Sequence, residues 1–291
     1  MSAEEVGVRV IAYTLCCFAL ALVACSEKDI KQDPTMQRSD ALVKVQKIGG
    51  RVLHKDRNPR EHVLAIDFSE TKVVDEDLEV LRSFADLERL NLESTQVTGG
   101  GLIYIAELNG LRYLNLSNTR VDDSSLVRLQ NLAKLEWLAL GETTIGDAGI
   151  AHLRRLGGLR RLYVRKTSVT DVGLGYLKDM GGFKDLVLDY TAVSDIGLSF
   201  IGHISDLEKL FLCGTKVTDQ GLRFLVGLTN LVELDLHETA VSDAGIPSLE
   251  SLKSLWGLDL QHTKISRAGL LTLQKALPRT QIAGPWGDTR P

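Results

Sequence analysis

The sequence predicts an α/β solenoid, which is a stack of short coils that each contain a strand, a turn, a short helix and a second turn. The main observation is a repeat of constant length. Threonine recurs every 24 residues, nine times from Thr71 to Thr263, with no insertion or deletion between copies. A fixed period of this size is typical of repeat architectures, so a motif inside one copy is interpreted first as architecture.

Two hydrophobic periods alternate within each copy and predict its elements. In "LVELDL", Leu231 to Leu236, the last apolar residues are two apart, as in a half-buried strand. Leu222, Leu225 and Leu228 are instead three apart, as on one face of a short helix. Parallel strands stack about 4.8 Å apart and packed helices about 8 to 10 Å apart, so we expect the stack to curve with its strands on the concave face.

The repeat resembles the leucine-rich repeat family. The family pattern L-x-x-L-x-L-x-x-N/C-x-L is matched by "LERLNLESTQV", Leu87 to Val97, by "LRYLNLSNTRV", Leu111 to Val121, and by six later copies. The resemblance covers about Val63 to Ala283 and implies a right-handed coil of nine 24-residue repeats, with short helices on the convex face. Threonine stands where the family usually has Asn or Cys, and its hydroxyl can bond the backbone of the turn but offers fewer donors for a continuous ladder.

The other repeated positions have structural roles in this interpretation. We expect the Val or Ile two residues after each Thr to lie in the core, and the Ser or Thr and the Asp that follow it to lie at a helix start. We expect the repeated Gly where neighbouring coils approach each other. Asp is present in seven of nine copies and is therefore not a unique catalytic residue. Asp219→Ala is expected to cost about 1 kcal/mol or less. Leu186 and Leu210 are expected to be fully buried.

Composition and motifs exclude several classes of function. Lys+Arg number 34 against 38 for Asp+Glu, so the chain has no basic excess with which to bind nucleic acid. It contains no P-loop, G-x-S-x-G, H-E-x-x-H or C-x-x-C motif. We therefore predict no enzyme, no catalytic residue, no cofactor and no metal. Asp235, His237 and Asp259 form the best cluster, either a weak cation site or, more simply, a solvated acidic end.

The first 25 residues predict export and lipid attachment. An apolar run from Val10 to Ala24 is shorter than the roughly 20 residues that a membrane-spanning helix needs. It ends in "LVAC", Leu22 to Cys25, which resembles the lipobox of bacterial lipoproteins. The resemblance implies cleavage before Cys25 and lipidation of its sulfur. The alternative is an uncleaved anchor helix that extends back through Arg9 to Val6.

The predicted domains follow from the signal and the repeat. They are a signal peptide (1–24), a lipidated tether (25–40), an N-terminal cap (41–62), the leucine-rich repeats (63–272) and a C-terminal cap with a tail (273–291). We expect a monomer that is exported and lipid-anchored to the cell-envelope membrane, the outer one in a cell with two membranes.

Specificity is expected on the concave face, where side chains that flank the core Leu point away from the core. Apolar and aromatic groups there, inside a charged rim, are typical of an interaction site. The predicted apolar patch comprises Trp137, Tyr163, Val187 and Phe211. Its predicted rim comprises Arg161, Arg165, Asp185 and Asp189. The alternatives are that the patch only covers the strands, and that Arg161, Asp185, Lys209 and Glu233 only form a self-neutralising ladder.

These observations favour a non-catalytic module, a membrane-tethered leucine-rich repeat lipoprotein that binds a protein or peptide on its concave face. One alternative is a structural envelope protein without a specific ligand. The other is an intracellular adaptor that resembles the substrate receptors of ubiquitin ligases, which requires that the first 25 residues are not an export signal.

Overall fold

One sheet of 11 strands runs along the described part of the molecule, in the order in which the strands occur in the chain. The computed structural model describes residues 38–54 and 63–285. The predicted signal peptide, the lipidation site Cys25 and nearly all of the tether lie outside the described residues. So do residues 55–62 of the predicted N-terminal cap and residues 286–291 of the predicted tail.

The strands repeat with the period of the sequence. They are β1 Arg51–His54, β2 Val63–Asp67, β3 Arg89–Asn91, β4 Tyr113–Asn115, β5 Trp137–Ala139, β6 Arg161–Tyr163, β7 Asp185–Val187, β8 Lys209–Phe211, β9 Glu233–Asp235, β10 Gly257–Asp259 and β11 Gln281–Ala283. Strand β1 pairs antiparallel with β2, and all later neighbours pair in parallel. Paired residues lie one period apart, as Leu162 with Leu186 and Leu186 with Leu210.

A short helical segment separates consecutive parallel strands. The α-helices are α1 Arg38–Lys47, α2 Leu102–Ile105, α3 Asp147–His152, α4 Asp171–Leu177, α5 Asp195–Ile201, α6 Asp219–Leu222, α7 Ile246–Leu249 and α8 Arg267–Ala276. The 3-10 segments are Asp75–Ser83, Gly99–Gly101, Asp123–Leu129, Leu153–Arg155, Arg223–Leu225 and Asp243–Gly245. Alternating parallel strands and short helices confirm the predicted solenoid class. The predicted boundary between residues 272 and 273 falls inside α8, and β11 continues the strand register beyond it.

The core lies between the strands and the helical segments. Leu186 and Leu210 are both 0% exposed, which confirms their predicted burial. The Val and Ile column is also buried, from Val73 at 1% to Ile265 at 2% exposed. Each coil therefore contributes strand and turn residues to one continuous apolar interior, and its stability depends on its neighbours.

The repeated threonines close the turn of their own coil. Thr215 donates its hydroxyl hydrogen to the carbonyl oxygen of Leu212 at 2.7 Å, and Thr191 donates in the same way to Leu188 at 2.6 Å. The same bond occurs at every copy from Thr71 to Thr263. Each repeated threonine thus bonds within its own coil. A hydroxyl has fewer donors than an amide, so this agrees with the expectation that the column forms no continuous ladder.

The Ser or Thr and Asp positions join consecutive coils, which the sequence interpretation did not include. Ser194 caps α5, as predicted, because its Oγ accepts a hydrogen bond from the Ile196 N–H. The carboxylate of Asp171 in the preceding coil accepts from the Ser194 N–H at 2.8 Å, the Ser194 hydroxyl at 2.6 Å and the Gly197 N–H at 2.9 Å. We call this arrangement the aspartate clamp.

The aspartate clamp recurs along the stack and corrects one expectation. Asp219 accepts from the N–H of Ser242 at 2.7 Å and from its hydroxyl at 2.6 Å, so it is more than an acid at the start of its own helix. Its removal leaves a partly buried N–H without its partner, which typically costs about 1 to 3 kcal/mol. The expected cost of Asp219→Ala therefore rises above the sequence-based figure.

The repeated glycine makes the aspartate clamp fit. A Cβ atom at Gly197 would lie 2.5 Å from Asp171 Oδ1 and 2.9 Å from Leu174 Cδ1. The carboxylate therefore occupies the space that a side chain would need. This confirms that the glycine column serves the close approach of neighbouring coils.

Candidate binding surface on the strand face

The strands present one column of side chains on each side of their buried leucine. A third column lies two residues after the second of these columns. We call the surface that the three columns form the strand face. It is assembled by register: Trp137 pairs with Arg161 across β5 and β6, and Tyr163 pairs with Val187 across β6 and β7. Every position on the strand face therefore has its equivalent one coil away.

Three aromatic rings form a continuous stack on this face. The Tyr113 and Trp137 rings lie parallel, with centroids 3.9 Å apart and 9° between their planes. Trp137 and Tyr163 meet edge to face, with centroids 4.9 Å apart and 65° between their planes. The Arg89 guanidinium lies 4.7 Å from the centroid of the Tyr113 ring, a cation–π arrangement. We call Tyr113, Trp137 and Tyr163 the aromatic stack.

The predicted patch residues lie side by side, although their ring contacts do not span the whole patch. Val187 is paired in register with both Tyr163 and Phe211. Trp137, Tyr163, Val187 and Phe211 are all partly exposed. Among the described residues, the ring contact of this patch stops at Tyr163 and extends the other way, to Tyr113. The ring contacts are therefore centred on Trp137 in β5.

Two of the predicted rim residues neutralise each other. The Arg161 Nε lies 2.7 Å from Asp185 Oδ2, and the Asp185 side chain is only 9% exposed. The next two strands repeat the arrangement, with Lys209 Nζ 2.6 Å from Glu233 Oε2. Arg161, Asp185, Lys209 and Glu233 therefore form the ion pairs of the self-neutralising ladder that was the alternative prediction for these residues. Asp185 therefore offers little exposed surface of its own to a ligand.

The other two rim residues have different surroundings. Arg165 is exposed, and its guanidinium lies 5.6 Å from the centroid of the Tyr190 ring. Asp189 accepts a hydrogen bond from the Cys213 N–H at 2.9 Å, so it fixes the backbone of the following coil. Burial raises the pKa of the Asp189 carboxyl above its usual range. Arg165 is thus the better candidate for direct ligand contact.

The strand face becomes acidic towards β9 and β10. Asp235 and Asp259 are paired in register on these strands. Burial, with the nearby charges of Asp259 and Asp189, raises the pKa of Asp235 to about 6, although its Oδ1 accepts a hydrogen bond from the His237 N–H at 2.8 Å. The charged form of Asp235 therefore destabilises the folded state, and a cation beside the carboxylate would offset this destabilisation.

Asp235→Asn is expected to stabilise the protein at neutral pH. The folded-state pKa of about 6 exceeds the usual 3.8, so between these values the folded protein binds this proton more tightly than the unfolded chain. The contribution of Asp235 to stability therefore falls as pH rises through this window. Asparagine keeps the acceptor for the His237 N–H but carries no charge.

Urea unfolding at several pH values measures the effect. The variant should gain stability over wild type as pH rises from below 4 to above 6, whereas Asp206→Asn, at an exposed position elsewhere, should not. An identical pH dependence of wild type and Asp235→Asn would contradict the prediction.

Two grooves flank the aromatic stack on the strand face. The larger, about 710 Å³, is lined by Phe211, Asp235, Asp259 and Gln261 among others. The smaller, about 520 Å³, lies at the other end and is lined by Arg51, Asp67, Arg89, Asn91 and Tyr113 among others. Phe211 lines the larger groove, whereas Trp137, Tyr163 and Val187 line neither groove, so most of the predicted patch lies between the two.

The sequence interpretation missed two residues of this surface. Tyr113 and Arg89 belong to the same column as Trp137, and their positions could have been read from the period alone. Ring stacking between adjacent strands was the signal that would have included Tyr113.

No helix in the described ranges, 38–54 and 63–285, is long and apolar enough to cross a membrane.

Comparison with known proteins identifies the fold. No protein-family model matches the chain, and no curated protein matches it. A leucine-rich repeat protein of Leptospira interrogans superposes with a TM-score of 0.56 at 19% identity, covering 74% of this chain and 59% of that one. The receptor kinase HAESA of Arabidopsis, solved with the peptide hormone IDA and a co-receptor, superposes with a TM-score of 0.55 at 14% identity, covering 79% of this chain and 46% of that one.

These similarities define the class to which the molecule belongs. It has the leucine-rich repeat fold, with its candidate site on the strands. The chain spans less than two thirds of the length of either solved neighbour, 59% and 46%. At such low identity the similarity extends to the fold alone, and function must be argued from the residues of the site.

Proposed function

We propose that this protein is a non-catalytic binding protein that holds a protein or peptide along its strand face. The observation that carries the proposal is the aromatic stack, in which Tyr113, Trp137 and Tyr163 offer partly exposed rings on a surface that faces water. Aromatic and Arg side chains at the centre of an interface typically supply most of its binding energy. Arg89 lies over the Tyr113 ring, and Arg165 follows Tyr163 by two residues in the same coil.

The distribution of charge favours an extended ligand with an apolar middle and a basic end. Arg89 lies at one end of the aromatic stack, whereas Asp235 and Asp259 line the groove at the opposite end of the strand face. A Lys or Arg side chain of the ligand would pair with these carboxylates and lower the pKa of Asp235. HAESA, which shares the fold, was solved with a peptide hormone, so the fold is compatible with this role.

The same proposal includes attachment to a membrane from outside the cytoplasm. It rests on the sequence alone, on "LVAC" after an apolar run. Two or three acyl chains, each with about 0.8 kcal/mol per buried methylene, hold a protein firmly on a bilayer. The binding surface would then be presented at the envelope, with residues 25–40 as the lipidated tether.

Cys25→Ser tests the attachment. The variant should remain an unprocessed precursor and should not incorporate radioactive palmitate, because it lacks the sulfur that is acylated. Cys213→Ser is the matched control and should be labelled as wild type. Equal labelling of Cys25→Ser and wild type would reject the lipid anchor without affecting the binding proposal.

Tyr163→Ala or Phe211→Ala is expected to weaken partner binding by about thirtyfold or more, which corresponds to about 2 kcal/mol. The stability of either variant should change less, because neither side chain enters the core. The partner is first captured from envelope extract with the wild-type protein and then titrated against each variant.

Lys178→Ala is the control, since Lys178 is exposed at the end of α4, away from the strands. Its affinity should equal that of wild type. If Tyr163→Ala, Phe211→Ala and Lys178→Ala bind equally well, the strand face is not the binding surface.

A further inference from the structure

A cluster of three different ligating groups lies at the edge of the strand face, apart from the aromatic stack. Its members are Cys213, His237 and Glu238, from two consecutive coils. Their sulfur, nitrogen and oxygen atoms all lie within 4.8 Å of one another. Cys213 is 8% exposed, while Glu238 is exposed, so the cluster opens to solvent on one side.

One separation between ligating atoms is already that found around a coordinated zinc ion. His237 Nε2 lies 3.5 Å from Glu238 Oε1. In a tetrahedral zinc site, bonds of about 2.0 to 2.3 Å place ligand atoms roughly 3.4 to 3.6 Å from one another. The His–Glu pair already has this separation, and small side-chain rotations would bring the Cys213 sulfur to it.

Two of the three ligating residues, His237 and Glu238, have a polar neighbour on the side away from the cluster. Asp259 Oδ1 lies 4.0 Å from His237 Nδ1, on the side of the ring opposite Glu238. The Tyr190 hydroxyl donates to Glu238 Oε2 at 3.2 Å, which leaves Oε1 towards His237. A carboxylate behind a ligating histidine and hydrogen bonds to a ligating carboxylate are typical of metal sites in proteins.

The backbone keeps the repeat at this place, but the residue type departs from it. The residue before each repeated Thr has a left-handed backbone: Glu70, Ser94, Asn118, Glu142, Lys166, Tyr190, Gly214, Glu238 and His262. Gly214, with φ of 64°, is the glycine in this series. A Cβ atom there would lie 2.5 Å from the Tyr190 Cδ1. Glycine at 214 thus lets the Tyr190 ring lie over the turn and reach Glu238 in the coil beyond.

We propose that Cys213, His237 and Glu238 form a zinc-binding site. Thiolate, imidazole and carboxylate together match a borderline-soft divalent ion, whereas Ca²⁺ and Mg²⁺ take oxygen ligands. On binding, the Cys213 thiol releases its proton to solvent, and three protein ligands leave a fourth position for water. The proposal differs from the sequence-based expectation of no metal. It does not depend on the proposed partner.

The test uses the full-length chain in detergent, reduced with a non-thiol reductant and stripped of metal. One equivalent of Co²⁺ should produce the charge-transfer absorption of a cobalt thiolate, and one equivalent of Zn²⁺ should remove it. Cys213→Ser should lack this absorption. His237→Ala should bind Zn²⁺ more than tenfold more weakly. Mg²⁺ and Ca²⁺ should not displace Co²⁺.

Matched variants separate the site from the other cysteines, histidines and glutamates of the chain. Cys25→Ser, His203→Ala and Glu142→Gln, the last at the equivalent position four coils earlier, should bind as wild type. Asp259→Asn changes no ligand and should keep the absorption at saturation, but should weaken Zn²⁺ binding by about 10- to 100-fold.

Two results would overturn the proposal. One is cobalt thiolate absorption that persists in Cys213→Ser or is absent from wild type. The other is Zn²⁺ affinity that is the same in wild type and in both His237→Ala and Asp259→Asn. The thermal unfolding of each metal-free variant, compared with wild type, shows whether the variant is folded.

Discussion

Leu210→Ala is expected to lower the free energy of unfolding by about 2 to 5 kcal/mol. Leu210 is 0% exposed and lies on β8, between its register partners Leu186 and Leu234. Truncation removes apolar contacts and leaves a cavity. Because β8 is hydrogen-bonded to a strand on each side, the neighbouring coils can collapse into that cavity only in part.

Lys209→Ala, one residue earlier on the same strand, is the control for this prediction. Its ion pair with Glu233 is open to solvent and should contribute about 1 kcal/mol or less. Urea unfolding followed by circular dichroism measures both variants. Equal losses of stability for Leu210→Ala and Lys209→Ala would show that Leu210 is not part of the core.

Asp171→Ala is expected to lower the free energy of unfolding by about 2 to 3 kcal/mol, because two backbone N–H groups lose a charged acceptor at once. Those groups belong to Ser194 and Gly197 in the next coil. The Ser194 hydroxyl, which also donates to Asp171, loses the contact that orients it as a helix cap. The change therefore acts on α5 and not on the helix that begins with Asp171.

Asp171→Asn should cost less, since its amide oxygen still accepts from the two N–H groups. Asp179→Ala, at an exposed position after α4, should leave the urea midpoint unchanged. Hydrogen exchange on the Asp171→Ala variant should be fastest at the start of α5. Equal midpoints for Asp171→Ala and Asp179→Ala would mean that the aspartate clamp does not stabilise the stack.

The sequence was sufficient for the fold because one copy, moved by one period, generates the next. The strand positions, the buried Val and Ile column and the turn-closing threonines all repeat without shift, so an interpretation of one coil holds for the others. The repeat alone does not show in which coil the hydrogen-bond partner of a side chain lies. The sequence alone therefore places Asp171 at the start of its own helix, whereas its hydrogen bonds lie in the next coil.

The candidate site was predicted in part for a related reason. Alternation along a strand places Trp137, Tyr163, Val187 and Phe211 on one face, but ring orientation decides which of them touch. The Tyr113 and Trp137 rings stack, so the contacting rings include Tyr113, which lies outside the predicted patch.

The metal-binding cluster shows the same limit. Glu238 lies outside the strand and has a left-handed backbone. The alternation of side chains along a strand therefore does not predict the direction of its side chain. Its approach to His237 depends on Tyr190, which lies two coils away in the sequence and reaches Glu238 across Gly214. Such contacts are set by the packing of three coils, and no single copy of the repeat contains them.

The aspartate clamp also restricts how the length of this molecule can change during evolution. Asp171 reaches Ser194 because 23 residues separate them, and the same spacing recurs between Asp195 and Thr218 and between Asp219 and Ser242. A single inserted residue would move the donor away from the acceptor and would shift the strand register as well. Duplication or loss of a whole coil would instead join an aspartate to an equivalent partner, so descendants of this gene should differ in size by whole multiples of 24 residues.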